Sequence, residues 1–220
     1  MPLTTITAWE GMFEQMCIPV DDIKLTEGKS ILIIGAAGGV GSIAIQLAKK
    51  LTGLKVIATA SRDITKDWCL KLGADHVINH YNNFKDELKK IDINEVDYIF
   101  CLNDIGRHFT KAAEILKPFG RICTIIGAKK GEELDISLLR AKSGTFSFEL
   151  MFTKSSNKMP EMITQHKLLN KTAELIEKNI IKTTMTENIG ALNSENLRKA
   201  HAKIESGKTI GKIVLSGIEV

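Results

Sequence analysis

The chain has 220 residues, 44% hydrophobic and 25% charged, with a mean hydropathy near zero, a composition that suits one or two domains with a real core. Thirty basic residues face 26 acidic ones, giving a formal charge of +4. The pairs Lys49-Lys50, Lys89-Lys90 and Lys129-Lys130 are scattered among acids, so no nucleic-acid partner is expected.

No apolar run approaches the roughly 20 residues that span a bilayer. The opening "MPLTTITAWEGMFEQM" lacks the basic and apolar regions of a secretory signal, and no membrane partner is expected. Cys17, Cys69, Cys101 and Cys123 are widely spaced with no C-x-x-C pair, which fits a reducing cytoplasm.

Residues 2–16 read as an amphipathic helix. Strands are then predicted at "SILIIG" (30–35), "KVIATAS" (55–61), "HVIN" (76–79), "VDYIFCL" (96–102) and "RICTIIG" (121–127). These runs are continuously apolar rather than alternating, as in parallel strands buried on both faces. Helices are expected between them at 39–51, 63–72, 82–90 and 106–117, with "LKPFGRI" a turn into the next strand. The rhythm predicts an α/β fold, a Rossmann-type doubly wound parallel sheet with flanking helices. Beyond residue 128 it loosens into a strand at 145–152, helices near 159–179 and 194–206, and the apolar "IGKIVLSG".

The stretch "SILIIGAAGGVGSIAIQLAKKL" places Gly35, Gly38, Gly39 and Gly41 between a strand and a helix. Glycine is costly to order, so such clustering implies a sharp turn and a close approach by something else. A strand, glycine turn and helix together hold a dinucleotide pyrophosphate on the unpaired N–H groups of the helix's first turn. The spacing is G-x-x-G-x-x-G rather than G-x-G-x-x-G, and no Lys-Ser/Thr follows, so it is not a Walker A loop. A purely structural turn is the bland alternative.

The end of the second strand reads "IATASRDITK". Ser61, Arg62 and Lys66 suit the 2′-phosphate of NADPH, because a guanidinium pairs with phosphate where a carboxylate repels it. Asp63 is the counter-reading, since a one-residue shift would bring it to an NADH ribose. The histidines show no ligand spacing, so zinc is not expected in this chain. The Y-x-x-x-K spacing of Tyr81 and Lys85 reads as chance. No acid, base or nucleophile stands out as catalytic.

"GAAGGVGSIAIQLAK…GADHVINH" resembles the medium-chain dehydrogenase/reductase superfamily, most of all its quinone-oxidoreductase and zinc-type alcohol dehydrogenase-like branch. "PLTTITAWEGMF", "FELMFTKS" and "AHAKIESGKTIGKIVLSG" extend the likeness over nearly the whole chain. The resemblance implies an NADPH-dependent oxidoreductase moving hydride between nicotinamide and a small-molecule carbonyl, quinone or enone. It assigns the pyrophosphate to the loop Gly35, Ala36, Ala37, Gly38, Gly39, Val40 and Gly41, and places His80 near the 2′-phosphate. Cys101, Leu102 and Asn103 would line the adenosine side; Ile126, Gly127, Phe148 and Met151 would flank the nicotinamide.

The family begins with a separate catalytic domain that this chain lacks for the most part. Residues 1–16 would be the helical segment linking to it, 17–180 the dinucleotide-binding domain, and 181–220 the segment that returns to it. Apolar surface would then be exposed near residues 1–16 and 205–220. The alternative is a non-catalytic dinucleotide-binding or sensor module, or an inactive truncated remnant. The family also pairs its last sheet strand across a two-fold axis, which would make 145–152 a homodimer edge.

Overall fold

The computed structural model describes residues 1–217. The chain opens with α1 (Pro2–Trp9), continued by a π-helical stretch, Glu10–Gln15. The parallel sheet follows, built from β1 (Ser30–Ile34), β2 (Lys55–Thr59), β3 (His76–Ile78), β4 (Val96–Cys101), β5 (Leu116–Thr124) and β6 (Thr145–Phe148). The crossovers carry α2 (Gly39–Leu51), α3 (Asp63–Lys71), α4 (Phe84–Lys89) and α5 (Ile105–Ile115). Strand order is β3-β2-β1-β4-β5-β6, with every pairing parallel. The expected doubly wound sheet is therefore present, and its direction of winding reverses between β1 and β4.

All five residues of β1 are buried. Ile31 and Ile33 face the cluster of Ala44, Leu47 and Ala48 from α2, whereas Leu32 and Ile34 face Phe109 and Ala112 from α5. Burying each such aliphatic side chain contributes about 1.5–3 kcal/mol, which explains why these strands carry no polar alternation. After β6 come α6 (Thr153–Ser156), α7 (Ile163–Glu177), β7 (Met185–Asn188), α8 (Ser194–Glu205) and β8 (Lys212–Val214). Strands β7 and β8 pair in a small second sheet.

Four expectations need correction. The helix over 2–16 changes its winding at Glu10, because Gly11 lies so close to Phe100 that an added Cβ would stand 2.5 Å from the ring's Cζ. The proline-glycine turn sits inside β5 as a bulge: Leu116 already pairs with Val96, and the ladder resumes at Arg121 opposite Tyr98. Proline has no N–H for the ladder, so the chain loops out around it, with Phe119 in a left-handed conformation (φ 60°). Strand β6 ends at Phe148 rather than running to 152.

The fourth concerns the surface. Of residues 1–16, Ala8, Met12 and Met16 belong to the core against α2, while Leu3 is left exposed. A larger group of exposed apolar side chains lies outside both expected segments, at Phe148, Leu150, Phe152, Met159, Met162 and Ile163.

Candidate dinucleotide site

The C-terminal ends of the strands are drawn into one row. Leu102 N–H donates to the Ile34 carbonyl (2.9 Å), Gly35 N–H to Thr59 Oγ1 (3.2 Å), Ala60 N–H to Ile78 (3.0 Å) and Glu149 N–H to Thr124 (2.8 Å). Each predicted site residue lies on or just beyond this row, where open α/β sheets bind ligands.

The glycines of the loop have separate reasons. Gly35 turns the chain with φ 79°, and an added Cβ would press on Asn103 Cβ at 3.2 Å. Gly41 closes α2 onto the loop so tightly that a Cβ would stand 2.3 Å from the Ala36 carbonyl oxygen. Gly38 faces open space apart from the Gly35 oxygen at 3.4 Å, and as N-cap of α2 it brings no side chain to the helix's free N–H groups. That is the cradle a phosphate needs: uncapped donors, a helix dipole and no Cβ in the way.

Gly39 answers to a different partner. Its added Cβ would stand 2.6 Å from Lys212 Cδ and 3.4 Å from the Gly211 carbonyl oxygen. The C-terminal strap crosses the loop here, tied by Gly211 N–H to the Ala37 carbonyl (2.9 Å). Lys212 has no salt-bridge partner among the described residues. Sequence reasoning passed over this lysine; the signal was its place in "IGKIVLSG", a segment read only as a family signature.

Behind the loop, Trp68 Nε1–H donates to Ser42 Oγ (2.9 Å), locking the first turn of α2 against α3. At the end of β2, Ser61 is half-buried and Arg62 exposed. Arg62 Nη2 donates to the Lys208 carbonyl (2.9 Å), and Lys66 pairs with Asp63 (3.1 Å). The residues of the two rival cofactor readings are thus joined in one exposed ion pair, an interaction worth about 0–1 kcal/mol and readily exchanged for a phosphate.

His80 turns toward α5, beside Arg107 and Lys111, while Arg107 lies over the Tyr81 ring (4.9 Å). Burial, then these two cations, lower the His80 pKa and keep its imidazole neutral. His108, its ring 6.1 Å away, is lowered to about 4, again chiefly by burial. Lys85 pairs with Glu114 (3.5 Å) and not with Tyr81. Arg107 and Lys111 give this corner a positive character that sequence reasoning missed.

On the adenosine side, only Asn103 of the three expected residues is exposed. Cys101 and Leu102 are closed into the core at the end of a central strand, and burial pushes the Cys101 thiol up to about 12. They can shape the floor but cannot line the surface. Ile126, Gly127 and Phe148 are exposed and Met151 half-buried at the β5–β6 end.

A cleft of about 540 Å³ lined by Lys29, Lys55, Asp75 and Lys117 opens at the opposite edge of the sheet, away from every predicted site residue. No group of three or more His, Cys, Asp or Glu side chains is placed to hold a metal among the described residues. Nor is any described helix long and apolar enough to cross a membrane.

A six-stranded parallel sheet in this order, with a glycine loop at its switch point, defines a Rossmann-type cofactor domain. Residues 72–215 match the zinc-binding dehydrogenase family, to which the chain belongs, within the medium-chain dehydrogenase/reductase superfamily of oxidoreductases. It is 42% identical over 216 residues to a zinc-type alcohol dehydrogenase-like protein of Staphylococcus aureus strain MSSA476, covering 98% of this chain and 63% of that protein. A solved alcohol dehydrogenase protein from Rhizobium etli CFN 42 superposes with TM-score 0.89 at 38% identity, over 100% of this chain and 63% of the other. The fold is shared by mycobacterial Rv1454c, solved with NADPH, at TM-score 0.76 and 24% identity, over 97% and 62%. The chain thus spans about 63% of the length of the relatives it matches.

Proposed function

We propose that this chain binds NADPH across the C-terminal edge of β1 and β4 and serves as the cofactor-holding part of a reductase. NADPH, when bound, supplies hydride to a carbonyl, quinone or enone. The observation that carries the reading is the start of α2, which no side chain caps, with the stem of Lys212 packed on Gly39: the first-turn N–H groups from Gly39 to Gly41 and a lysine without a salt-bridge partner among the described residues suit a pyrophosphate.

Arg62 and Lys66 take the 2′-phosphate, favouring NADPH over NADH, with Arg107 and Lys111 adding positive potential beside His80. Fold neighbours include both Rv1454c, solved with NADPH, and an NAD-dependent alcohol dehydrogenase, so the preference rests on these residues. Ile126, Gly127, Phe148 and Met151 exclude water from the nicotinamide end and orient it. A second copy joins through the free edge of β6, where Phe146 and Phe148 stack edge to face (5.1 Å) and Phe148 is 55% exposed. Sedimentation showing only monomer at tens of micromolar would remove the dimer.

The test is calorimetric titration with NADPH and with NADH. Tighter NADPH binding is expected; equal or tighter NADH binding would move recognition to Asp63. The second reading is a dinucleotide-binding or sensor module without turnover. Turnover of quinones or enones by this chain would exclude it.

A further inference from the structure

Two glutamates far apart in the chain, Glu10 and Glu149, come together inside the protein, between the π-helical stretch and the end of β6. Glu10 is 3% exposed and Glu149 is 4% exposed. Their surroundings supply donors to one of them only. Lys154 Nζ donates to Glu10 Oε1 (2.9 Å), Glu14 Oε2 (2.6 Å) and Thr164 Oγ1 (2.9 Å), which uses all three of its protons. Gln165 Nε2 donates to Glu10 Oε1 (3.0 Å) and to the Met151 carbonyl (2.8 Å), which uses both of its own.

Glu149 receives none of these. Its Oε1 is buried without a hydrogen-bond partner, and Glu10 is the carboxylate beside it. Two buried carboxylates cannot share a hydrogen bond, because both are acceptors; one must bring a proton. Charge counting agrees. Glu10 and Glu149 are buried beside the one ammonium of Lys154, which the exposed Glu14 also pairs with, and the Cys123 thiol of β5 offers Glu149 no positive charge; two like charges in a dry site resist ionising together.

We propose that Glu149 is a positioning residue: it holds a proton at neutral pH and donates it to the Glu10 carboxylate, fixing the Phe148–Met151 stretch at the nicotinamide end of the cleft. The geometry makes the link direct. Glu149 lies between Phe148 and Leu150, its N–H is held by the Thr124 carbonyl at the end of β5, and Gln165 ties Glu10 to the Met151 carbonyl. Burial first, then the charge and hydrogen bond of Glu10, raise the Glu149 carboxyl to about 8, while Lys154 works in the opposite direction. Above that pH the shared proton is lost, the two carboxylates repel, and the stretch loosens.

The placement of that stretch at the nicotinamide rests on the cofactor reading above; the shared proton does not. Infrared difference spectroscopy of the whole chain between about pH 6 and pH 10 tests the proton directly. A protonated-carboxyl stretch is expected at pH 7, titrating near pH 8 and missing from Glu149→Gln. Its absence from the wild-type spectrum at pH 7, or its survival in Glu149→Gln, would overturn the proposal. The wild-type spectrum stands even if the variant does not fold.

Positioning is read from NADPH affinity against pH. The wild type should weaken by up to roughly tenfold per pH unit above about 8, whereas Glu149→Gln, which keeps a neutral donor, should stay flat. Parallel profiles in the two proteins would overturn the positioning role. No NADPH binding at any pH would sink the cofactor reading instead, and the infrared band would then decide the proton alone.

Discussion

The stem of Lys212 rests on Gly39: a Cβ on the glycine would stand 2.6 Å from Lys212 Cδ. Gly39 therefore has no side chain because the C-terminal strap needs its place, whereas Gly41 has none because the loop's own backbone does. That difference separates two substitutions that look alike in sequence. Gly41→Ala drives a methyl into the Ala36 backbone, which cannot yield, and should cost about 3 kcal/mol, the upper end of the overpacking range. Gly39→Ala meets chiefly the stem of Lys212, with Thr4 Cγ2 at 3.3 Å and the Gly211 carbonyl oxygen at 3.4 Å beside it, and should lower the unfolding midpoint less than Gly41→Ala does while weakening NADPH binding. Thermal unfolding and calorimetry on both variants check the pair, and similar destabilisation by each would refute the assignment.

Lys212→Met isolates the charge. Methionine preserves most of the stem on Gly39 and removes the ammonium. A hydrogen bond to a charged group contributes about 1.5–3 kcal/mol, so affinity should fall roughly 10- to 150-fold. The loss should be equal for NADPH and NADH, because both carry the pyrophosphate. A loss confined to NADPH would place Lys212 at the 2′-phosphate.

What could be read from the sequence was local. Gly41 is explained by a contact inside its own loop and Gly35 by the left-handed turn it makes there, and β1 is recognisable because a strand buried on both faces must be apolar throughout. Elements whose cause lies at the other end of the chain were not legible. Nothing near "IGKIVL" announces that Lys212 covers Gly39. The turn to π-helix at Glu10 depends on Phe100, and Glu10 and Glu149 become a pair only through folding. Cys101 and Leu102 were misplaced for a related reason: a strand end marks where a site lies, but whether a side chain faces it depends on what covers that end.

The turn between β3 and α4, which carries His80 and Tyr81, has its own acid dependence. Glu87 accepts from Asn79 N–H (2.8 Å), Asn82 Nδ2 (3.0 Å) and Lys90. Burial opposes its charge, but these hydrogen bonds prevail and hold the carboxyl at about 2, below its ordinary 4.5. A lowered carboxyl contributes stability that is fully present above the unfolded value and is lost as pH falls through the folded one. Wild-type stability should therefore decline between about pH 4.5 and pH 2, and Glu87→Gln should flatten that part of the profile. The Glu149 contribution runs the other way, since its carboxyl is raised to about 8: it is complete below about 4.5 and lost as pH rises through 8. Denaturant midpoints across the full range separate the two slopes.

The proposed function puts cofactor choice at the end of β2. If Arg62 and Lys66 hold the 2′-phosphate, Arg62→Ala should raise the Kd for NADPH while leaving NADH within about twofold, because NADH has no group for the guanidinium to meet. A loss of about 1.5–3 kcal/mol corresponds to a charged hydrogen bond removed. Arg62 also donates to the Lys208 carbonyl, so a purely structural effect on the strap would weaken both cofactors together. Lys66→Ala supplies the control: it frees Asp63 from its ion pair, and NADH affinity should rise as NADPH affinity falls. If instead both variants leave the ratio of the two constants unchanged, the 2′-phosphate is read elsewhere, and Arg107 beside His80 becomes the residue to substitute.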